Sequence, residues 1–402
     1  MISAVAVFIG RTFRFAIRLF RRGGGSAFPG TVASLIAPKL LRDAIESAKN
    51  GLVVVSGSSG KSSTTQNLVA LLRAHGYKVF TNPSTANIKQ GLYAAILQFG
   101  DYRGRIDADF VVLEWDEGHG AALVESLRPR VAVLTNVYSD QLDRFVDPEL
   151  VVEKLKKIYD YSYHVIVNVD DKNLTQFVES TRTTGFGLSS TIQPQPSYAL
   201  NFGPSPVIEP VVEVTAVGSK FVQLRVEEKQ IPFETNADAP HQALNLAAAV
   251  AALVKLIEPN WEIVTSTIAA LPPVFARDEV ASIRGKDVRF LLCLNPTSFT
   301  HSLSEISDQT SPLMIMAGSD IHDPSWLWTV DFSKLKRVDV VAGKNANDLA
   351  LRLVYQGVQV DKIIPEVDKA ADEFLTLDGP TPTVLFSADA MRRTRRYLGL
   401  AK

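Results

Sequence analysis

At 402 residues the chain is longer than one ordinary domain, and two or three are expected. Its 46% hydrophobic and 21% charged residues suit a globular protein with a full core, and a net charge of −1 offers no overall attraction to nucleic acid. The sole cysteine, Cys293, excludes a disulfide framework and a cysteine-rich zinc site, and suits the cytosol.

Residues 1–22 interleave Val5, Val7, Phe8, Ile9, Phe13, Phe15, Ile17, Leu19 and Phe20 with Arg11, Arg14, Arg18, Arg21 and Arg22. A secretory signal places its charge before the apolar run, the reverse of this order. The run is also too short and too broken by arginine to span a bilayer. A basic amphipathic helix is expected, lying either on an anionic membrane surface or against the domain behind it. Gly23 to Gly30 read as a linker or loop, and a short helical pattern follows from Val32 to about Lys49.

From residue 50 to about 190, apolar runs alternate with helical stretches, which predicts a mostly parallel sheet with helices on both faces. Strands are expected at 52–55, 78–81, 110–114, 131–135, 164–168 and 184–187. Polar clusters fall at their carboxyl ends, where such sheets bind ligands. They are Asn82 and Asn87, then Glu114, Asp116 and Glu117, then Thr135, Asn136, Asp140 and Asp143, and last Asn168, Asp170 and Asp171.

The stretch Leu52-Val-Val-Val-Ser-Gly-Ser-Ser-Gly-Lys-Ser-Ser-Thr-Thr65 is the most informative. A short β-branched run, a small glycine turn, Lys61-Ser62 and a helical pattern make a phosphate cradle. Loop N–H groups and the helix N-terminus face the anion because they have no partner inside the helix. The lysine neutralises the outer phosphates, and the next hydroxyl holds Mg²⁺. Val55 stands where the general P-loop pattern wants its first glycine. The shorter Gly-x-x-Gly-Lys-Ser-Ser form resembles that of the Mur ligases and folylpolyglutamate synthase.

Prolines 194, 196, 204, 206 and 210 mark irregular chain, and Val211–Val217 with Phe221–Val226 read as a hairpin. His241 and Asn245, four apart, share one face of a helix running to about Ile257. Pro272-Pro273 is the best domain boundary. Three segments are therefore expected: 1–48, the basic helix and linker; 49–271, the nucleotide-binding domain; and 272–402, a smaller α/β domain. Strands are expected in the last near 288–294, 313–317, 338–342 and 383–386, with helices near 345–357, 367–375 and 388–398. His322-Asp-Pro-Ser-Trp-Leu-Trp328 reads as an aromatic loop, and Cys293 as a buried, inert thiol.

Several stretches together resemble the MurT-type ligases, the ligase subunits of bacterial lipid II isoglutaminyl synthases. They are Gly-Gly-Gly-Ser-x-x-Pro-Gly at 23–30, the loop at 57–62, Ala86-Asn87 followed by Gly91, Leu-Glu-x-Asp-Glu-Gly at 113–118 and Arg-Pro-Arg-Val at 128–131. Thr-Asn-Val-Tyr-Ser-Asp-Gln-Leu-Asp-Arg at 135–144 and Ser-Trp-Leu-Trp at 325–328 are more specific than the loop. Asn295-Pro296 with Phe299, and Leu-Ala-Leu-Arg-Leu-x-Tyr-x-Gly at 349–357, extend the likeness into the second domain. The chain departs from the family in lacking a four-cysteine zinc ribbon, so no zinc is expected. It also has Ser-Ser before Gly60-Lys61 where Thr-Asn is usual, Leu294 before Asn295-Pro296, and Thr329 after Trp328.

The resemblance implies a Mur ligase-type central ATPase domain with a parallel sheet and a smaller C-terminal α/β domain. It implies ATP-dependent amidation of the D-glutamate α-carboxylate of the lipid II stem peptide, through an acyl phosphate, with ammonia from a GatD-type glutaminase partner. Gly57, Ser58, Gly60, Lys61, Ser62, Ser63, Asn87, Asn245 and Arg277 would contact ATP. Ser62 and Glu114 would hold Mg²⁺, and Asp140, Asp143 and His241 would touch metal or substrate. Lys154 and Lys156 are weak candidates for the carbamylated lysine of many Mur ligases. Asp323 would complete the glutaminase triad across the interface, fixing the histidine tautomer. The setting would be cytoplasmic, at the inner face of the membrane. The alternatives are a Mur-type ligase adding a free amino acid, and a non-catalytic scaffold.

Overall fold

The computed structural model describes residues 2–20, 27–82, 88–137, 148–192, 208–235, 237, 239–271, 277–293, 296–304, 306–307, 310–321 and 324–400. The described residues fall into two compact units, those up to Leu271 and those from Arg277 onward.

The first unit opens with α1 (Ile2–Phe20), α2 (Ala27–Ile36) and α3 (Leu40–Glu46). Then come β1 (Leu52–Ser56), α4 (Lys61–Ala74), β2 (Val79–Thr81), α5 (Lys89–Phe99), β3 (Phe110–Glu114), α6 (Glu117–Leu127) and β4 (Val131–Leu134). The unit continues with α7 (Pro148–Tyr161), β5 (His164–Asn168), α8 (Lys172–Thr175), β6 (Thr183–Leu188), β7 (Pro210–Gly218), β8 (Phe221–Val226), β9 (Lys229–Glu234), α9 (Pro240–Leu256) and α10 (Trp261–Ala269).

The nine strands make one sheet in the order β2-β3-β1-β4-β5-β6-β7-β8-β9. Strands β2 to β7 pair in parallel, and β7, β8 and β9 are antiparallel. Helices cover the parallel part, so its strands lack polar alternation; every residue of β1, β3 and β4 is buried. The chain leaves β1 toward β2 but leaves β4 toward β5. Adjacent strands with opposed connections open a crevice at their carboxyl ends, which puts it between β1 and β4.

The N-terminal segment belongs to this unit. Ala6, Val7 and Gly10 of α1 are buried. Gly10 lies so close to α5 that a Cβ there would sit 2.6 Å from Leu97 Cδ1. Arg11 donates to the carbonyls of Leu97 (2.9 Å) and Gly100 (2.6 Å). The expected linker at 23–30 is corrected in part, because α2 begins at Ala27. Pro29 falls in its first turn, where a missing N–H costs no helical bond. A Cβ on Gly30 would meet Gln90 O at 2.0 Å, so glycine there lets α2 and α5 touch.

His164, at the start of β5, bonds Thr184 Oγ1 at 2.8 Å. Burial, helped by the charge of Lys255, pulls its imidazole down to about 4. The neutral ring therefore contributes stability that is complete above the unfolded pKa near 6.5 and is lost as pH falls toward 4. Discounted for a half-buried ring, the loss is about 1–2 kcal/mol. Urea midpoints at pH 7 and pH 4.5 are expected to fall less for His164→Gln than for the native chain. Equal falls would remove His164 from the acid sensitivity.

The second unit runs β10 (Arg277–Ile283), β11 (Lys286–Leu292), α11 (Pro296–Ser304), β12 (Leu313–Met316), β13 (Arg337–Ala342), α12 (Ala346–Tyr355), β14 (Gln359–Ile364), α13 (Val367–Thr376), β15 (Thr383–Phe386) and α14 (Ala388–Tyr397). Its sheet order is β10-β11-β15-β12-β13-β14, parallel except for the β10–β11 hairpin. Apolar clusters lie on both faces, one around Phe299, Phe332 and Leu349, the other around Phe290, Phe374 and Phe386. Pro324–Thr329, expected as a loop, forms a 3-10 turn whose Leu327 is buried. Cys293 is buried.

Candidate active site

The site is built on the turn between β1 and α4. Gly57 (φ 128°) and Gly60 (φ 83°) hold left-handed backbone that side chains resist. A Cβ on Gly57 would sit 2.3 Å from Thr135 Oγ1 and 2.9 Å from Asn136 N and O. One on Gly60 would sit 2.1 Å from Asn245 Oδ1. Gly60 also caps α4 without a side-chain hydrogen bond, so no capping side chain covers the helix N-terminus, the end that attracts anions.

The end of β4 fixes this loop. Ser58 N–H donates to Asn136 O (2.9 Å) and Ser59 N–H to Asn136 Oδ1 (2.8 Å). Thr135 Oγ1 donates to Ser59 O at 2.7 Å. Behind them, Val137 N–H donates to Asp171 Oδ2 (2.6 Å), which ties the next strand's end into the same frame. Burial pushes the Asp171 carboxyl up to about 6, against the backbone donors that pull it down.

Two ion-handling pairs face the loop from the end of β3 and the start of α6. Lys61 Nζ donates to Glu117 Oε1 at 2.6 Å, and also to the carbonyls of Gly57 and Ser58. The Glu117 side chain is 1% exposed and that of Lys61 12%, which makes this a buried pair. Glu117 Oε2 is buried with no hydrogen-bond partner among the described residues. Ser62 Oγ donates to Glu114 Oε2 at 2.7 Å. Asn82 grips Glu114 through its backbone, accepting from its N–H (3.0 Å) and donating to its C=O (3.1 Å).

A hydroxyl and a carboxylate this close are hard oxygen donors that fit Mg²⁺, which is bound through one or two carboxylates together with phosphate oxygens. The described residues hold no cluster of three His, Cys, Asp or Glu able to bind a metal alone. The glycine cradle and Lys61 fit a polyphosphate in the same way.

The structure thus brings together Gly57, Ser58, Gly60, Lys61, Ser62, Ser63, Glu114 and Asn245. Asn245 is buried, and His241 lies one turn before it on α9 with its Nδ1 buried. Lys156 pairs with Asp160 (2.8 Å) on an exposed face of α7. Asn87, Asp140, Asp143 and Asp323 lie outside the described residues, as does the side chain of Arg277. Sequence reasoning placed Glu117, Thr135 and Asn136 at this edge without giving them roles. The signal available for Glu117 was an acid at the first turn of the helix after Glu114.

Residues 55–253 match the Mur ligase middle domain, and residues 292–388 match the MurT ligase C-terminal domain. The chain is 23% identical to the MurT subunit of the glutamine-hydrolysing lipid II isoglutaminyl synthase of Streptococcus pneumoniae, over 90% of this chain and 88% of that one. Among solved structures it is similar to a pseudomurein peptide ligase type C from Methanothermus fervidus (TM-score 0.69, 16% identity, 90% of this chain and 80% of that one). It is also similar to the MurF ligase of Thermotoga maritima, solved with ADP (TM-score 0.66, 22% identity, 92% of this chain and 83% of that one).

Proposed function

Because the chain joins a Mur ligase middle domain to a MurT ligase C-terminal domain, we propose that it is the ligase subunit of a lipid II amidating enzyme. It uses Mg-ATP and ammonia to convert the D-glutamate α-carboxylate of the stem peptide to the amide. The observation that carries this reading is the Gly57–Ser63 cradle with Lys61 on Glu117 and Ser62 on Glu114.

A carboxylate is a poor electrophile. One of its oxygens attacks the γ-phosphorus of ATP, ADP leaves, and an acyl phosphate forms. Ammonia then attacks the acyl carbon, the C–O bond to phosphate breaks, and the proton lost from nitrogen goes to the departing phosphate. Lys61 and the loop N–H groups hold the phosphates in line and neutralise charge in transfer. Ser62 and Glu114 would hold Mg²⁺, which would supply further charge neutralisation. The buried, strongly anchored loop keeps these donors fixed, so little reorganisation accompanies the reaction. On this reading Asn87, Asn245 and Arg277 contact ATP, and Asp140, Asp143 and His241 serve the metal or the substrate.

Ammonia comes from a partner glutaminase whose catalytic triad takes Asp323 as its third member. Support for a docking face comes from the neighbouring 3-10 turn. Trp328 is 40% exposed there, edge-on to the exposed Tyr355 (5.5 Å) and beneath Arg352 (5.4 Å), the residue types that anchor interfaces.

The test is mass spectrometry of lipid II incubated with the chain and Mg-ATP, once with ammonium and once with glutamine plus a GatD-type glutaminase. Amide is expected in both arms. Asp323→Asn is expected to lose about 10²-fold or more in the glutamine arm only, as an orienting carboxylate would. No amide in either arm, with ADP formed on adding a free amino acid, would move the chain to the amino-acid-adding ligases. Loss in both arms would remove Asp323 from the triad.

A further inference from the structure

One face of α1 is packed on its domain and the other is bare. Ala6, Val7 and Gly10 point into the protein, whereas Phe8 is 73% and Phe15 71% exposed. Seven residues apart, these two rings lie along a single helical stripe with Ala4, Arg11 and Thr12. The stripe and Tyr102, itself 63% exposed, line a shallow cavity of about 540 Å³. On another side of the helix Phe13 and Phe28 meet edge-on at 5.9 Å while both remain exposed. Leu35 of α2 is 77% exposed. Large apolar side chains exposed together, as Phe8, Phe15 and Tyr102 are, mark an interaction site.

The charge of this end of the sequence selects the occupant. Arg11, Arg14, Arg18, Arg21, Arg22, Lys39 and Arg42 precede the first acidic residue of the sequence, Asp43. The chain as a whole is at −1, so its positive charge is concentrated at this end. Arg103 lies over the Tyr102 ring at 5.1 Å. Asp43 and Glu46 face the adjoining cavity of about 960 Å³ together with Arg103 and Arg105, and Glu46 is paired with Arg42 at 2.6 Å. No described helix is long and apolar enough to cross a membrane. Exposed phenylalanines among arginines, with a tyrosine at the rim, match the boundary between lipid headgroups and acyl chains.

We propose that the α1–α2 face is a membrane-surface dock for anionic phospholipid, with Phe8 and Phe15 entering the acyl boundary and the net positive charge of the first 42 residues attracting lipid phosphates. The proposal needs neither ATP nor the amidation reading. If that reading also holds, the dock brings the phosphate loop to the surface that carries a lipid-linked substrate.

The experiment is co-sedimentation of the full chain with vesicles of phosphatidylcholine alone and of phosphatidylcholine with an equal part of phosphatidylglycerol. Binding is expected only to the anionic vesicles, falling severalfold between 0.1 and 0.5 M salt as screening shortens. Phe8→Ser with Phe15→Ser is expected to lower partitioning tenfold or more while leaving the urea midpoint unchanged, because both rings are already in water. Phe8→Trp is expected to be quenched by bromine-labelled acyl chains. Equal binding to both vesicle types, or unchanged binding by the double serine variant, would overturn the proposal. A dimer that the same variant converts to monomer, with no vesicle binding, would reassign the face to a second copy of the chain.

Discussion

Lys61→Ala is expected to lower ATP turnover by about 10²–10³-fold, the loss typical of one preorganised donor aimed at transferring charge. It is also expected to destabilise the first unit. Glu117 is almost wholly buried and Lys61 Nζ is the only described partner of its Oε1. Removing the cation strands a charge, which costs about 3 kcal/mol, the low end for buried pairs because Lys61 keeps some contact with water. The two effects separate in a second variant. Lys61→Met with Glu117→Gln removes both charges and is expected to recover much of the urea midpoint while turnover stays lost. Native turnover in Lys61→Ala would remove the lysine from the phosphate site. An unchanged midpoint would mean that the buried pair contributes nothing.

The glycines of the loop are expected to respond differently from each other. Gly57→Ala places Cβ against Thr135 Oγ1 and the Asn136 backbone, at φ 128°. Backbone cannot swing aside, so the loop itself must move. A cost of about 3 kcal/mol is expected, with loss of nucleotide binding. Gly60→Ala meets instead the tip of the Asn245 side chain. Pairing it with Asn245→Ala removes that clash and leaves about 1–2 kcal/mol of left-handed strain. Thermal melts of Gly57→Ala, Gly60→Ala and the Gly60→Ala/Asn245→Ala pair, with and without Mg-ATP, test the contrast. If the pair melts no higher than Gly60→Ala alone, Asn245 is not what makes glycine necessary at 60.

The parallel sheet was legible because strands buried on both faces need unbroken β-branched runs, as in Leu52-Val-Val-Val and Val131-Ala-Val-Leu. Its first six strands were found within a residue or so. Those missed were β9, β10 and β14, whose residues are largely exposed or interrupted, as in Gln359–Ile364. Helix α2 was hidden by Pro29 and Gly30, which signal a break in isolation and serve first-turn geometry and close packing in context.

The sequence by itself determined the chemistry of the loop: small residues at 57–60, then a lysine and hydroxyls at the start of a helix. Local spacing suffices there because one turn supplies the donors. Only the tertiary structure decided what holds that loop and neutralises it. Thr135, Asn136, Asp171, Glu117 and Asn245 reach the site from four other elements, and such meetings are set by strand order, which the sequence does not display. The same holds for α1. Its amphipathic pattern left both surfaces eligible for burial, and packing against α5 settled which one, leaving Phe8 and Phe15 in solvent.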